Sequence, residues 1–306
     1  MDETILDTIT GAFVGALQQG QGVLNQFSLV LLGVFAVIAF YVQVGPLLAM
    51  GGVGASDAVG NVLMLVLKLG VFYWLVANLI PLATAAFDTF LAWGLAPTGG
   101  GAFDAASFRA PSQVLLIGAR AAGALQQYNA KFTGWSALWN KWLIVPYAIA
   151  YWIILAAFAL VALHLMMTII EFHLAVMAGT VLIPWGVLAP TAFFTEFSLG
   201  WITGGLVRVF VTVAIVAIGI PLFDQVTFRT TPGGDPTLYS AVIVALTSGM
   251  FAIVSWVVPS RAAAIAGRGV SLALHAGTVV ASAASGARFV MMATGAVRGI
   301  STMLRR

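Results

Sequence analysis

Residues 172–200 read FHLAVMAGTVLIPWGVLAPTAFFTEFSLG. The stretch is apolar enough to sit in a membrane, yet Pro184, Gly186 and Pro190 fall in its middle. Proline removes a backbone donor and clashes with the preceding helical turn, so one continuous helix is disfavoured. The segment reads either as a re-entrant or broken hairpin that enters and leaves on one side, or as a kinked ordinary span. Irregular backbone at membrane depth is tolerated only where it is buried in protein or lines a wet cavity.

Working outward, Leu143–Ile170 precedes this stretch as a long span. Gly204–Phe223 and Leu238–Val258 follow it, separated by the polar turn Asp224–Pro236, with Pro259 closing the last span. Upstream, Ser28–Met50 and Val59–Ile80 are two more spans around the turn Gly51–Asp57, and Gly45-Pro46 predicts a kink near the end of the first. In residues 1–27, Ile5, Ile9, Phe13, Leu17 and Leu24 recur at helical steps. They predict an amphipathic helix that lies in the interface, on a partner, or on the same protein.

Composition agrees. Of 306 residues, 61% are hydrophobic and 8% are charged, and mean hydropathy is +1.04. Soluble domains run near 45–50% apolar and about 25% charged. The chain has 13 Lys and Arg and 10 Asp and Glu, too few to clothe a soluble enzyme of this size, and it is too apolar for disorder. It has no cysteine, which removes disulfides, thiolate metal sites and Cys nucleophiles. The N-terminus lacks the positive region of a signal peptide, so cleavage is not expected.

Charge sets the expected topology. Residues 1–27 carry Asp2, Glu3 and Asp7 and no Lys or Arg. After Asp235 come Arg261, Arg268, Arg288, Arg298, Arg305 and Arg306 and no acid. The positive-inside rule puts the basic tail 259–306 in the cytoplasm and the N-terminus outside. Opposite sides require an odd number of crossings. The expected fold is therefore all-α, with five transmembrane helices plus the re-entrant element 172–200 inside a core 143–258; six full spans is the alternative. Residues 81–142 become a long external region after spans 28–80. They carry Asp88, Asp104, Arg109, Arg120, Lys131 and Lys141, with Trp135, Trp139 and Trp142 as an interfacial belt. Long loops cross largely regardless of charge. Phe87–Leu95 and Val114–Leu125 within this region should be helical.

Ionisable residues in spans are costly and are candidate functional sites by default. Lys68 would line a pore, pair with an acid across an interface, or be internally paired. His164 and Glu171 share a helical face with His173 nearby. No metal-ligand pattern accompanies them, so Glu171 is expected to bond the broken segment or to meet Arg208. The tail arginines would meet anionic lipid or nucleic-acid phosphate, lipid being favoured because the tail follows a span directly. Ala273, Gly277, Ala281 and Ser285 form a small-xxx-small run. There is no P-loop, dinucleotide fingerprint or catalytic triad, so neither enzymatic activity nor a cofactor is expected.

The run Glu171…Ile183-Pro184-Trp185-Gly186…Thr191…Glu196…Gly200 resembles the central signature of the TrbL-type inner-membrane proteins of type IV secretion and conjugation systems. Val258-Pro259-Ser260-Arg261-Ala262 and the overall plan resemble that family too, over roughly residues 1–270. The resemblance implies a non-enzymatic channel or platform subunit in the bacterial inner membrane. It implies a homo-oligomeric ring, a pentamer, beneath a small stalk protein of minor-pilin type and near membrane-bound secretion ATPases. The implied cargo is single-stranded DNA with its relaxase, or an effector protein, and the platform also supports pilus assembly. Lys68, Glu171, Pro184, Gly186, Pro190, Glu196 and Arg208 are then pore or interface candidates. Arg261, Arg268, Arg288 and Arg298 face lipid or partners. The competing reading is a stand-alone secondary transporter or ion channel with a site at the broken helix. Against it stand a single broken helix without a paired repeat and the long external region.

Overall fold

The computed structural model describes residues 5–49, 55–98, 104–131, 141–230 and 237–269. Among them the secondary structure is entirely helical: α1 (Ile5–Ala49), α2 (Ala55–Leu95), α3 (Ala105–Arg109), α4 (Pro111–Ala130), α5 (Lys141–Leu182), α6 (Ala192–Thr230) and α7 (Leu238–Gly269). Short 3₁₀ turns at Ala96–Thr98, Ile183–Val187 and Ala189–Thr191 complete it. Among the described residues, five segments are long and apolar enough to cross a membrane: Ile5–Gly45, Val62–Leu95, Ile144–Val187, Ala189–Phe223 and Leu238–Gly267. The five-span expectation holds among the described residues, where 172–200 forms no sixth span.

Segment 172–200 is not a separate element. Its first part is the end of α5, its last part is the start of α6, and the break itself is confined to Ile183–Thr191. The hairpin is therefore the joint between the third and fourth spans. Pro81, Pro146, Pro221 and Pro259 all lie inside helices. Thus α2 runs through Pro81 instead of yielding to a loop there, and α7 continues past Pro259. Residues 81–95 belong to a span, and Arg261 sits on a helix. A lone proline costs about 3 kcal/mol in a helix interior. Ending the helix inside lipid would orphan several backbone groups at several kcal/mol each. At Pro81 the Thr84 hydroxyl also donates to Ile80 O (3.1 Å) and Pro81 O (2.9 Å), so nearby carbonyls keep a partner.

Of the expected helix 1–27, the described part is likewise not set apart, because α1 runs unbroken from Ile5 to Ala49. Its first turns are tied to the same chain. The Asp7 carboxylate accepts the Ser112 N–H (3.0 Å) and the Ser112 hydroxyl, at the start of α4. The N-cap residue of α4, Ala110, makes no side-chain cap bond. Asp7 of α1 takes over that role, and its charge suits a helix N-terminus. The expected helices Phe87–Leu95 and Val114–Leu125 lie within α2 and α4. Asp104 caps α3 by accepting the Ser107 N–H, and that bond holds its carboxyl below the usual range.

The core lies where α5 meets α4, α6 and α7. Ile154, Phe158, Val161 and Leu165 of α5 pack with Val114, Val213, Ile220 and Val244, all buried. A smaller cluster of Leu32, Phe35, Ala39, Leu65 and Val187 gathers around the break. The outer surface is apolar, with Val37, Tyr41, Leu63, Trp152, Leu246 and Met250 all exposed. A surface of this kind needs hydrocarbon or another protein around it.

Gly200 and Gly204 of α6 cross α7 at Ala263 and Gly267. A Cβ on Gly200 would lie 2.6 Å from Gly267 O, and one on Gly204 3.0 Å from Ala263 O. This is a small-xxx-small crossing within one chain. The run Ala273–Ser285, where sequence pointed to such a contact, lies outside the described residues, as do Arg288 and Arg298. The Arg268 side chain is also outside them.

Candidate functional site

The site begins with a backbone problem. From Ile183 to Thr191 the chain abandons α-helical bonding, and Pro184 and Pro190 supply no N–H. Ile183, Pro184, Gly186 and Val187 are nonetheless buried. Carbonyls freed in a low-dielectric interior must find donors, at about 1–3 kcal/mol for each one left bare.

Side chains supply those donors. Thr195 Oγ1, one turn into α6, donates to Ile183 O (2.9 Å) and Leu182 O (3.2 Å). Thr191 Oγ1 donates to Trp185 O (2.7 Å), and the Thr191 N–H to Leu188 O (3.2 Å). Lys68 Nζ reaches across from α2 to Val187 O (2.8 Å) and lies 5.9 Å from the centre of the Phe72 ring. Lys68 is thus an internal clamp: its ammonium caps the last carbonyl of the first 3₁₀ turn, where the helix end is partly negative. Trp185 packs edge-on against Phe35 of α1 (4.9 Å) and Phe194 of α6 (5.4 Å). The broken joint is therefore held by α1, α2 and α6 together.

Gly186 fits this joint because it has no side chain. A Cβ there would lie 2.5 Å from the Phe72 ring and 2.6 Å from Thr195 Oγ1. Pro184 is buried in the same joint, and Pro190 opens the second 3₁₀ turn.

Beside the joint, α6 and α7 leave a cleft of about 680 Å³. Glu171, Glu196 and Arg208 line it with Phe193, Phe197, Trp201 and Ser260. Glu171 and Arg208 form a direct ion pair across α5 and α6. Of the two contacts expected for Glu171, the structure contains the one with Arg208. The structure thus groups Pro184, Gly186, Pro190 and Lys68 at the joint and Glu171, Glu196 and Arg208 in the cleft. His164 is fully buried two turns before Glu171, with Trp256 5.1 Å away. His173 turns to a different space: its Nδ1 donates to Ile169 O (2.9 Å), and the ring faces a polar crevice shared with Asp7, Gln18 and Thr84. Arg261 is exposed on α7.

The ion pair carries a prediction. Arg208 is 16% exposed and Glu171 is 40% exposed, so a bare Arg208 finds less water than a bare Glu171. Breaking a buried pair costs about 3–5 kcal/mol, less where solvent reaches. Glu171→Leu should therefore destabilise the protein by about 3 kcal/mol, and Arg208→Met by clearly less. The double variant should cost less than the sum of the two. Thermal unfolding in detergent measures all three.

Sequence reasoning missed Thr195, Phe72 and the Gly200/Gly204 crossing. Thr195 follows the break by one turn, the position from which a hydroxyl can reach back to freed carbonyls, and that spacing was a usable signal. Phe72 carried none.

The broken joint, the helix before it and the helices around it are the region that a family model covers. The model described as TrbL/VirB6 plasmid conjugal transfer protein matches residues 36–258, more than two thirds of the chain. The chain belongs to the TrbL/VirB6 family. Comparison with curated proteins gave no match. Membership makes this chain a multi-pass membrane component of conjugal transfer and type IV secretion. The matched region contains Lys68, Phe72, the whole joint and the Glu171–Arg208 pair. It stops at Val258, so the TrbL/VirB6 match leaves out Arg261 and the basic tail.

Proposed function

We propose that the chain is a non-enzymatic platform or channel subunit of a type IV secretion machine in the bacterial inner membrane, working as a homo-oligomeric ring of about five copies. The observation that carries this reading is the broken joint. Its carbonyls at Leu182, Ile183, Trp185 and Val187 accept from Thr195, Thr191 and Lys68, and Ile183, Pro184, Gly186 and Val187 are buried, so it serves as rigid scaffolding. A transporter would need an open site there. Asp7 before any Lys or Arg, and arginine without acid after Asp235, support a periplasmic N-terminus and a cytoplasmic C-terminus.

On this reading α3 and α4 present the periplasmic face to a small minor-pilin-type stalk protein. The joint end faces membrane-associated secretion ATPases, which supply the energy. Arg261, Arg268, Arg288 and Arg298 rest on anionic lipid. Single-stranded DNA or protein cargo makes transient contact, and pilus assembly uses the same platform. No cofactor or metal takes part.

Native mass spectrometry and two-dimensional class averages of the solubilised protein test the ring. A discrete assembly of about five copies is the expected result, and a stable monomer or two-fold dimer across detergents overturns it in favour of a transporter. The chain has no cysteine, so single cysteines at Ala106 and Arg261 test the orientation. An impermeant thiol reagent applied from the periplasm should label the first and spare the second.

A further inference from the structure

His164 lies at the middle of the span Ile144–Val187 and is fully buried. Neither of its ring nitrogens has a hydrogen-bond partner among the described residues. The same holds for Arg208 Nε and the fully buried Thr212 Oγ1. Helical rise places these residues within about 10 Å of one another along the bundle axis. Glu171 and Arg208 pair across α5 and α6, and the tight joint makes those helices antiparallel. Moving from Glu171 to His164 on α5, and from Arg208 to Thr212 on α6, therefore leads the same way. At about 1.5 Å per residue the steps are about 10 Å and 6 Å. Trp256 of α7 closes the third side against the imidazole.

Buried polar atoms are nearly always satisfied, and each exception calls for a ligand or a cause. An imidazole offers one donor and one acceptor, a hydroxyl offers both, and Arg Nε–H adds a donor. That set offers the two to four polar partners that a buried water needs. Arg208 also lines the cleft that opens between α6 and α7, so the same side chain borders open space.

We propose that His164, Thr212 and Arg208 form an internal water site, fed from the Glu171/Arg208 cleft and reaching the mid-depth of the bundle. The ligand is water, and with it a proton exchangeable at the imidazole. The site gives Arg208 a second set of contacts beyond Glu171. It makes the centre of α5 wet where its sequence is apolar.

The test uses the full-length protein in lipid nanodiscs with ¹⁵N-histidine, observed by magic-angle-spinning NMR after transfer to D₂O. The chain has three histidines, so His164→Gln assigns the signal. The His164 ring N–H should exchange at least a hundredfold faster than the backbone amides of α5 around it. Thr212→Val, which keeps the volume and removes the hydroxyl, should slow that exchange at least tenfold, while Thr212→Ser should preserve it. A ring N–H as protected as the surrounding amides overturns the proposal. So does an exchange rate unaffected by Thr212→Val.

Discussion

Gly186→Leu, alone or with Pro184→Ala, is expected to abolish assembly and conjugative transfer. The Cβ alone would lie 2.5 Å from the Phe72 ring and 2.6 Å from Thr195 Oγ1. The rest of a leucine has no space, because Ile183, Pro184 and Val187 are buried around it. Overpacking of a filled interior costs about 1–3 kcal/mol and sometimes more. Here the displaced Thr195 also supplies Leu182 O and Ile183 O, which adds about 1–3 kcal/mol for each carbonyl left bare. Gly186→Leu should therefore lose about 4 kcal/mol or more. Lys68→Gln is the informative comparison. It removes a charge-assisted bond to Val187 O, but the shorter amide still offers a donor nearby, so the loss should stay near 1–2 kcal/mol. Transfer should fall only partly. Mating efficiency and thermal unfolding, measured side by side, check the ranking. A Lys68→Gln loss equal to or above that of Pro184→Ala with Gly186→Leu would show that the clamp, and not the filled space at Gly186, is what the joint depends on.

The contrast between Pro184 and the other helical prolines shows where sequence was informative. Periodicity and hydropathy placed all five spans, because a span is a long local signal. The break was legible because two prolines and a glycine fall within seven residues, Pro184 to Pro190. Pro81, Pro146, Pro221 and Pro259 each stand alone in apolar surroundings and leave their helices unbroken. The rule that proline ends a helix comes from water, where the freed groups are solvated. In a bilayer a broken helix costs more than a kinked one. The Glu171–Arg208 pair was legible as a possibility, because both charges lie in apolar runs and need partners. Lys68 was legible as costly, but not as the cap of Val187 O. That contact spans 119 residues, and no local pattern announces it. The same holds for Asp7, whose partner at the start of α4 lies 105 residues away.

Two glycines of the α6–α7 pair should respond to substitution with opposite signs. Gly200→Leu places a Cβ 2.6 Å from the backbone oxygen of Gly267. Backbone cannot rotate away as a side chain can, so α6 and α7 must separate at the joint end. That costs the Gly204–Ala263 approach as well, at 3.0 Å. Close approach through small residues is a main source of helix association in lipid, where apolar burial drives little. The expected loss is about 3–5 kcal/mol, the range of severe core disruption. The cleft wall formed by Gly200, Gly204 and Gly267 would open with it, so transfer should fail even in protein that still inserts. Gly249 on α7 has nothing within 4 Å of the Cβ it would gain. Gly249→Ala meets no obstacle and gains helix propensity, worth up to about 1 kcal/mol. It should leave transfer intact and raise the unfolding temperature slightly. Thermal unfolding of both variants in one detergent, with transfer assayed in parallel, separates the two cases. If Gly200→Leu were as harmless as Gly249→Ala, the close crossing could not be what holds α6 against α7.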